Sequence, residues 1–235
     1  MTTCAVIPIK NLSHAKQRLA GVLSSAERQA LFQAMVEDVL RTLSECSLVD
    51  ESLVVTDDPL VVLLAKGFGA AILPEPERPG LIPAVTTSAV FLRSKGVKRM
   101  LFVPGDVPLI SADDLEVVLT SVEDNEEPEF TIVPAADLGG SNCIVCSPPD
   151  CMKFGFGEDS FRRHLGFARE LGIEPRVIKL PALGLDVDTP HDLEALMREL
   201  ETRQTLSSTH KYLMESGIIE RLGSVQETRT SKLKG

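Results

Sequence analysis

The sequence predicts an α/β protein with a mostly parallel central sheet and helices on both faces. Two observations predict the layered sheet. Short apolar runs of strand length alternate with segments of helical period, and the runs are apolar at consecutive positions, as strands covered on both faces are. A third observation bounds the class: 43% of the 235 residues are hydrophobic and 25% charged, which excludes a disordered chain, a collagen-like repeat and a low-complexity array. A chain of this length fills one core that buries about 70% of its unfolded surface, without disulfides or a structural metal.

Cys4 to Ile9 is the first apolar run, and the polar stretch Asn11 to Arg18 behind it reads as a loop entering a helix. Ser24 with Glu27 three residues later forms a capping box, and Leu31, Met35, Val39 and Leu43 repeat every fourth residue behind it, which predicts an amphipathic helix of about 20 residues. Leu53 to Thr56 and Ala70 to Leu73 read as short strands flanking a helical Leu60 to Ala65. Ala84 to Leu92 leads through a basic linker to a strand at Met100 to Val103, and Ser111 caps a helix through about Val122. Phe130 to Val133 and Asn142 to Cys146 are further strands, followed by a helix from Asp159 to Leu171. Arg176 to Leu180 and Leu183 to Val187 are expected to be extended. Thr189 at the cap, Pro190 at the first helical position and Asp192 behind them start a helix to about Arg203. One domain is therefore expected over residues 1–203. Residues 204–235 are expected to be a tail, with a polar break at Gln204 to Thr209, a short helix over Tyr212 to Leu222 and disorder beyond.

Charge narrows the partners. Lys and Arg total 24 against 34 Asp and Glu, a net charge of −10, so no diffuse basic face is available for nucleic acid or an anionic membrane. Six of the basic and four of the acidic residues lie from Glu201 onward, which leaves the first 200 residues with 18 basic and 30 acidic side chains. An acidic body that handles a polyphosphate does so through metal ions or a local basic cluster. Five cysteines, no secretory leader and no run of about 20 apolar residues point to a reducing, cytoplasmic location.

The segment Phe102-Val103-Pro104-Gly105-Asp106-Val107-Pro108 is a hydrophobic strand that stops at a glycine and an aspartate. Ligands of open α/β sheets sit beyond the carboxyl ends of the strands, which is where this places Asp106; the alternative is a turn aspartate bonding its own backbone. Asp186 and Asp188, two apart on an expected extended segment, face one side; the alternative is that Asp188 merely precedes a helix start while Asp186 is a solvated strand end. Carboxylates so close repel unless a cation stands between them, and an all-oxygen set suits Mg²⁺ with substrate phosphates. Lys10, Lys16 and Arg18 follow the first strand, where phosphates commonly bind, although ordinary surface charge explains them too. The P-loop and the G-x-G-x-x-G fingerprint are absent. Gly139-Gly140-Ser141-Asn142 and Phe156-Gly157-Glu158-Asp159-Ser160 are small turns that let backbone amides approach an anion, or plain connections. Cys143 and Cys146, an odd number of residues apart on a strand, face opposite ways and read as structural cysteines. His14 and His164 could touch phosphate or, as expected for each, lie on a helix surface, and no Gly-x-Ser-x-Gly elbow occurs.

Taken together and in order, Pro8-Ile9-Lys10, Ala15-Lys16-Gln17-Arg18-Leu19, Pro104-Gly105-Asp106-Val107-Pro108-Leu109, Gly139-Gly140-Ser141-Asn142, Phe156-Gly157 with Ser160-Phe161 and His164, and Asp186-Val187-Asp188-Thr189-Pro190 resemble the CofC/FbiD guanylyltransferases. Those enzymes make the activated phospho-acid intermediate of coenzyme F-420. The resemblance spans residues 4 to about 200. It implies a nucleotidyltransferase domain over residues 1–203 with a fold similar to the nucleotide-diphospho-sugar transferases, GTP as donor and Mg²⁺ as cofactor. It implies that Asp106, Asp186 and Asp188 hold the metal and that Ser141, Gly157 and Ser160 bind the three-carbon phospho-acid. Two departures stand out: Gly80-Leu81-Ile82-Pro83 replaces a Gly-Leu-Asn segment common in the family, and Ser141 replaces a commoner threonine while keeping the hydroxyl.

The implied reaction transfers GMP to the phosphate of phosphoenolpyruvate, the favoured acid, or of 2-phospho-L-lactate or 3-phospho-D-glycerate. Lys16, Arg18 and Asp106 are then the catalytic residues, and Lys10, Lys16, Arg18 and Gly105 hold the nucleotide. A cytidylyl- or uridylyltransferase acting on a sugar phosphate, and a non-catalytic nucleotide-binding regulator, are the competing expectations. The tail packs across a homodimer or stands as a solvated appendage.

Overall fold

The computed structural model describes residues 2–123, 127–203 and 207–222. Its strands are β1 (Thr3–Pro8), β2 (Glu51–Val55), β3 (Ala71–Leu73), β4 (Arg99–Phe102), β5 (Glu129–Pro134), β6 (Ser141–Ser147) and β7 (Arg176–Val177). The helices are α1 (Ser25–Glu45), α2 (Pro59–Gly67), α3 (Leu81–Ser94), α4 (Ala112–Thr120), α5 (Ser160–Glu170), α6 (Pro181–Gly184), α7 (Pro190–Thr202) and α8 (Ser208–Glu215). Capping boxes start three of them: Ser24 with Glu27 at α1, Ser111 with Asp114 at α4, and Thr189 with Asp192 at α7. Each cap contributes about 1 kcal/mol by satisfying an amide that the first turn leaves unpaired.

The strands form one seven-stranded sheet in the order β3-β2-β1-β4-β6-β5-β7. β3, β2, β1 and β4 are mutually parallel, β6 runs antiparallel to both β4 and β5, and β7 is parallel to β5. The chain moves from β1 outward to β3, then returns through α3 to β4 on the other side of β1. That reversal opens a crevice beyond the carboxyl ends of β1 and β4, the position where α/β sheets bind ligands.

Strand alternation divides the core in two. Ala5, Ile7, Val54, Leu101, Val103, Cys143 and Val145 pack with α1, α2, α4, α7 and α8. Cys4, Val6, Leu53, Met100, Phe102, Ile144 and Cys146 pack with α3 and α5. Cys143 and Cys146 therefore lie on opposite faces, and both are free thiols.

Three local expectations change. Leu183 to Val187 is not a strand: Pro181 opens the short α6, and the half-buried chain after Gly184 runs without ladder partners toward the crevice. Of Arg176 to Leu180, only Arg176 and Val177 join the sheet. His164 sits on α5 at 0% exposure rather than on a helix surface.

α8 lies on α1, where the Asp38 carboxylate, itself 5% exposed, accepts the Ser208 and Thr209 N–H groups at 2.7 and 2.9 Å. Arg221 pairs with Glu27 at 2.7 Å beside it. Of the polar break expected over Gln204 to Thr209, Ser208 and Thr209 instead begin α8, because Ser207 caps the helix there; residues 204–206 and the end expected to be disordered, 223–235, lie outside the described residues. Among the described residues no helix is long and apolar enough to cross a membrane.

Candidate active site

Beyond β4 the chain passes so close to α1 that a Cβ at Gly105 would stand 3.0 Å from Val36 Cγ2 and 3.4 Å from Ile9 Cγ1. Glycine is thus required by packing, and it delivers Asp106 to the crevice. The Asp106 carbonyl accepts the Val187 N–H at 3.1 Å, which draws the segment before α7 alongside. Val187 is fully buried, so its neighbours Asp186 and Asp188 both turn away from the core. Asp192 fixes this segment from behind: its carboxylate takes the N–H groups of Asp188 at 3.2 Å and Thr189 at 2.7 Å.

Lys16 arrives from the loop after β1. Its backbone is left-handed, with φ 56° and ψ 40°, a conformation that costs a non-glycine residue about 1 kcal/mol or more and persists only where surrounding contacts impose it. Those contacts are two carboxylates. Nζ lies 2.5 Å from Asp106 Oδ2 and 2.7 Å from Asp188 Oδ1, with the side chain only 4% exposed. Burial by itself would pull the ammonium pKa down, but the charges and hydrogen bonds of Asp106 and Asp188 more than offset it and hold the pKa above its ordinary value. Arg18 is exposed and stands 3.8 Å from the other oxygen of Asp188. Lys10 does not join this pair. It lines a hollow of about 640 Å³ with Asn11, Asp57, Asp58, Glu75 and Glu77.

Asp186 is held by Asn142, whose Nδ2 donates to Asp186 Oδ1 and to the Leu183 carbonyl, each at 2.9 Å. Burial pushes the Asp186 pKa up, and although the Asn142 bond opposes this, the nearby charges of Asp106 and Asp188 add to it. The other Asp106 oxygen, Oδ1, is buried without a hydrogen-bond partner. Among the described residues no three His, Cys, Asp or Glu side chains are gathered tightly enough to ligate one ion, and the Lys16 ammonium stands between Asp106 and Asp188. The donor chemistry nevertheless fits a hard divalent cation. Mg²⁺ takes one or two carboxylates and completes its shell with phosphates and water, and Asp106 Oδ1 is an unsatisfied carboxylate oxygen beside a destabilised Asp186.

The two glycine-containing turns meet: the Gly139 carbonyl accepts the Phe161 N–H at 3.3 Å, which brings Ser141 against the start of α5. Ser160 Oγ lies 3.2 Å from Ser141 Oγ, and Ser141 Oγ lies 2.9 Å from His164 Nδ1. Gly157 has φ 106° and open space where a Cβ would stand, so glycine is required there by conformation. Sequence reasoning passed over the tether made by Asn142 and the buried setting of His164. The available signal for Asn142 is that it directly follows Gly139-Gly140-Ser141 at the start of an apolar strand, where a polar side chain needs a partner; the structure leaves it 5% exposed.

The described geometry has counterparts. The profile of the family described as "Guanylyl transferase CofC like" matches residues 3–233. The chain is 37% identical over 204 residues to a phosphoenolpyruvate guanylyltransferase of Conexibacter woesei, covering 87% of this chain and 91% of that one. It is 36% identical to a 3-phospho-D-glycerate guanylyltransferase of Colwellia psychrerythraea, with 83% and 91% covered. It is also 35% identical to a 2-phospho-L-lactate guanylyltransferase of Methanothermobacter thermautotrophicus, with 82% and 83% covered. Among solved structures, a protein described as of nucleotide-diphospho-sugar transferase type from Desulfovibrio desulfuricans superposes with a TM-score of 0.76 at 20% identity over 94% of this chain and 99% of that one. That likeness concerns the fold alone. By the extent of the profile match and the identity to these relatives, the chain belongs to the CofC-like guanylyltransferase family.

Proposed function

We propose that this protein transfers GMP from GTP to the phosphate of a three-carbon phospho-acid, releasing diphosphate, as a step of coenzyme F-420 biosynthesis, with Mg²⁺ as cofactor. Phosphoenolpyruvate is the favoured acid, and 2-phospho-L-lactate and 3-phospho-D-glycerate are the others to be tried. The observation that carries the proposal is the Lys16 ammonium held between Asp106 and Asp188 at the carboxyl ends of β1 and β4, where open α/β sheets bind ligands.

A phosphate monoester loses its second proton at about pH 6, so the acid is already a competent oxygen nucleophile at neutral pH and no general base is required. Its phosphate oxygen bonds to the α-phosphorus of GTP as the α–β bridging bond breaks, and the electron pair leaves with diphosphate. Lys16 and Arg18, with Lys10 on the nucleotide side, stabilise the charge that builds on the departing group, and the Gly105 turn lets backbone lie close to the nucleotide. Ser141 and the backbone at Gly157 hold the acid in line, and Ser160 acts on it through the hydrogen bond it donates to Ser141. Asp106, Asp186 and Asp188 would hold Mg²⁺, which when bound supplies Lewis-acid stabilisation of the phosphate oxygens. The remaining contribution of the protein is positioning and fixed charge.

The test is mass spectrometry of mixtures containing the protein, Mg²⁺, one acid and one nucleoside triphosphate, run over three acids and four nucleotides. A guanylylated acid is expected with GTP alone. Cytidylylated or uridylylated products, or nucleotide binding without diphosphate release, would replace the proposal with one of its competitors.

A further inference from the structure

His164 projects from α5 into a fully buried space walled by Phe130, Phe154, Phe156 and Phe167, whose ring centroids lie 6.4, 6.4, 5.0 and 6.5 Å from its own. Both ring nitrogens are engaged. The Gly155 N–H donates to Nε2 at 2.9 Å, and Nδ1 lies 2.9 Å from Ser141 Oγ. A backbone N–H can only donate, so Nε2 is the bare nitrogen and a neutral imidazole carries its proton on Nδ1. The ring is neutral because burial, helped by the charge of Arg163, pushes its pKa down to about 4 against the opposing pull of the Ser160 carbonyl. The Gly155 contact is fixed by packing: a Cβ there would meet Arg163 Cδ at 2.6 Å and Phe167 Cε2 at 2.8 Å, so glycine alone brings this amide onto the ring.

The proton order along the chain of groups follows. His164 Nδ1–H donates to Ser141 Oγ, and the Ser160 hydroxyl donates to the same oxygen at 3.2 Å. A hydroxyl has two acceptor sites and one proton. With both acceptor sites filled, Ser141 has only its own O–H left to offer, and neither neighbour leaves room to receive it.

We propose that His164 is a positioning residue for the phospho-acid: donation from its Nδ1 makes the Ser141 hydroxyl an obligate donor, aimed at an anionic oxygen of the substrate. The proposal rests on the function above for the identity of that substrate. Charge-assisted donors of this kind discriminate strongly, since a donor reversed into an acceptor repels the anion it should bind.

Two substitutions separate positioning from packing. In His164→Gln the amide oxygen reaches the Nε2 position and keeps the Gly155 bond while the donor to Ser141 is lost. In His164→Asn the amide nitrogen stands near the Nδ1 position and keeps that donor. His164→Gln is expected to raise the KM for the phospho-acid about 10- to 100-fold, as the loss of one charge-assisted hydrogen bond does, with the KM for GTP unchanged, and His164→Asn is expected to restore most of it. Equal KM values for the acid in both variants and the wild type, or equal loss toward both substrates, would overturn the proposal. A second readout needs no turnover. Two-dimensional ¹H–¹⁵N spectra of the full chain labelled at histidine are expected to show a protonated Nδ1 and a bare Nε2 at residue 164. The reverse tautomer overturns the proposal even if His164→Gln fails to fold. A wild type that modifies none of the acids refutes the function, while the spectra still decide the proton order.

Discussion

Replacing Lys16 by Met keeps the length and most of the volume of the stem but deletes the ammonium that holds Asp106 and Asp188 at 2.5 and 2.7 Å. Removing one member of a fully buried pair costs about 3–5 kcal/mol, because the partner is left charged and uncompensated. Here the two carboxylates keep 21% and 41% of their side-chain exposure, so water offsets part of the loss and about 2 kcal/mol is the appropriate scale. For a chain of this length that corresponds to a fall in Tm of about 4–8 °C. Calorimetry or circular dichroism at neutral pH measures it. Added Mg²⁺ is expected to return part of the loss in the variant and little in the wild type, since a divalent ion can take the place of the missing charge. Diphosphate release with GTP and acid is expected to drop about 10²- to 10³-fold, the scale for removal of one fixed charge or donor at the reacting group. A variant with unchanged Tm, no response to Mg²⁺ and full turnover would refute the reasoning at its first step.

Three further outcomes follow from other contacts. Asn142→Ala removes the two 2.9 Å bonds to Asp186 and Leu183; a loss of about 2 kcal/mol in urea melts and about a tenfold or greater fall in turnover from the freed carboxylate are expected, and unchanged turnover would count against the tether. Asp38→Ala frees the Ser208 and Thr209 N–H groups that now donate to the carboxylate, leaving α8 with its Ser207 cap; amide exchange over residues 208–215 is expected to quicken, with about 1–2 kcal/mol lost, and an unchanged exchange pattern would show that the Asp38 contacts do not hold α8. His164 sets a pH dependence: its pKa is about 4 folded against the ordinary 6.5. Below pH 6.5 the unfolded chain therefore binds more protons than the folded one, and stability falls as pH drops. The contribution is complete above about pH 6.5, lost by about pH 4, and amounts to about 3 kcal/mol. The stability difference between wild type and His164→Asn is expected to shift by that amount across the window, and a pH-independent difference would contradict it.

The parts of the fold legible from sequence are those set by neighbouring residues. The buried strands announce themselves as apolar runs, and Ser24 with Glu27 or Thr189 with Asp192 mark helix starts because capping is a local hydrogen-bond problem. Orientation is less visible. Asn142 to Cys146 reads as a strand, but its antiparallel course between β4 and β5 depends on partners distant in the chain. The stretch Leu183 to Val187 reads as a strand because burial and strand formation leave the same composition; in the structure Leu183 belongs to α6 and Val187 is buried outside the sheet, its N–H bonded to the Asp106 carbonyl. At the crevice, Lys16 and the aspartates stand out by residue type and position. That Lys16 reaches between Asp106 and Asp188 depends on a left-handed backbone at a lysine, which no pattern of residue types signals. His164 follows Arg162 and Arg163 and looks exposed in sequence. It is covered because glycine at 155 lets the chain fold down over α5.

The most direct measurement is a crystal structure with Mn²⁺ in place of Mg²⁺ and a non-hydrolysable GTP analogue, located by anomalous scattering. The ion is expected within about 2.2 Å of carboxylate oxygens from the set Asp106, Asp186 and Asp188, with Lys16 turned from the carboxylates to the nucleotide phosphates. An anomalous peak remote from these side chains, with Lys16 still between Asp106 and Asp188 and the nucleotide bound elsewhere, would contradict the proposed site.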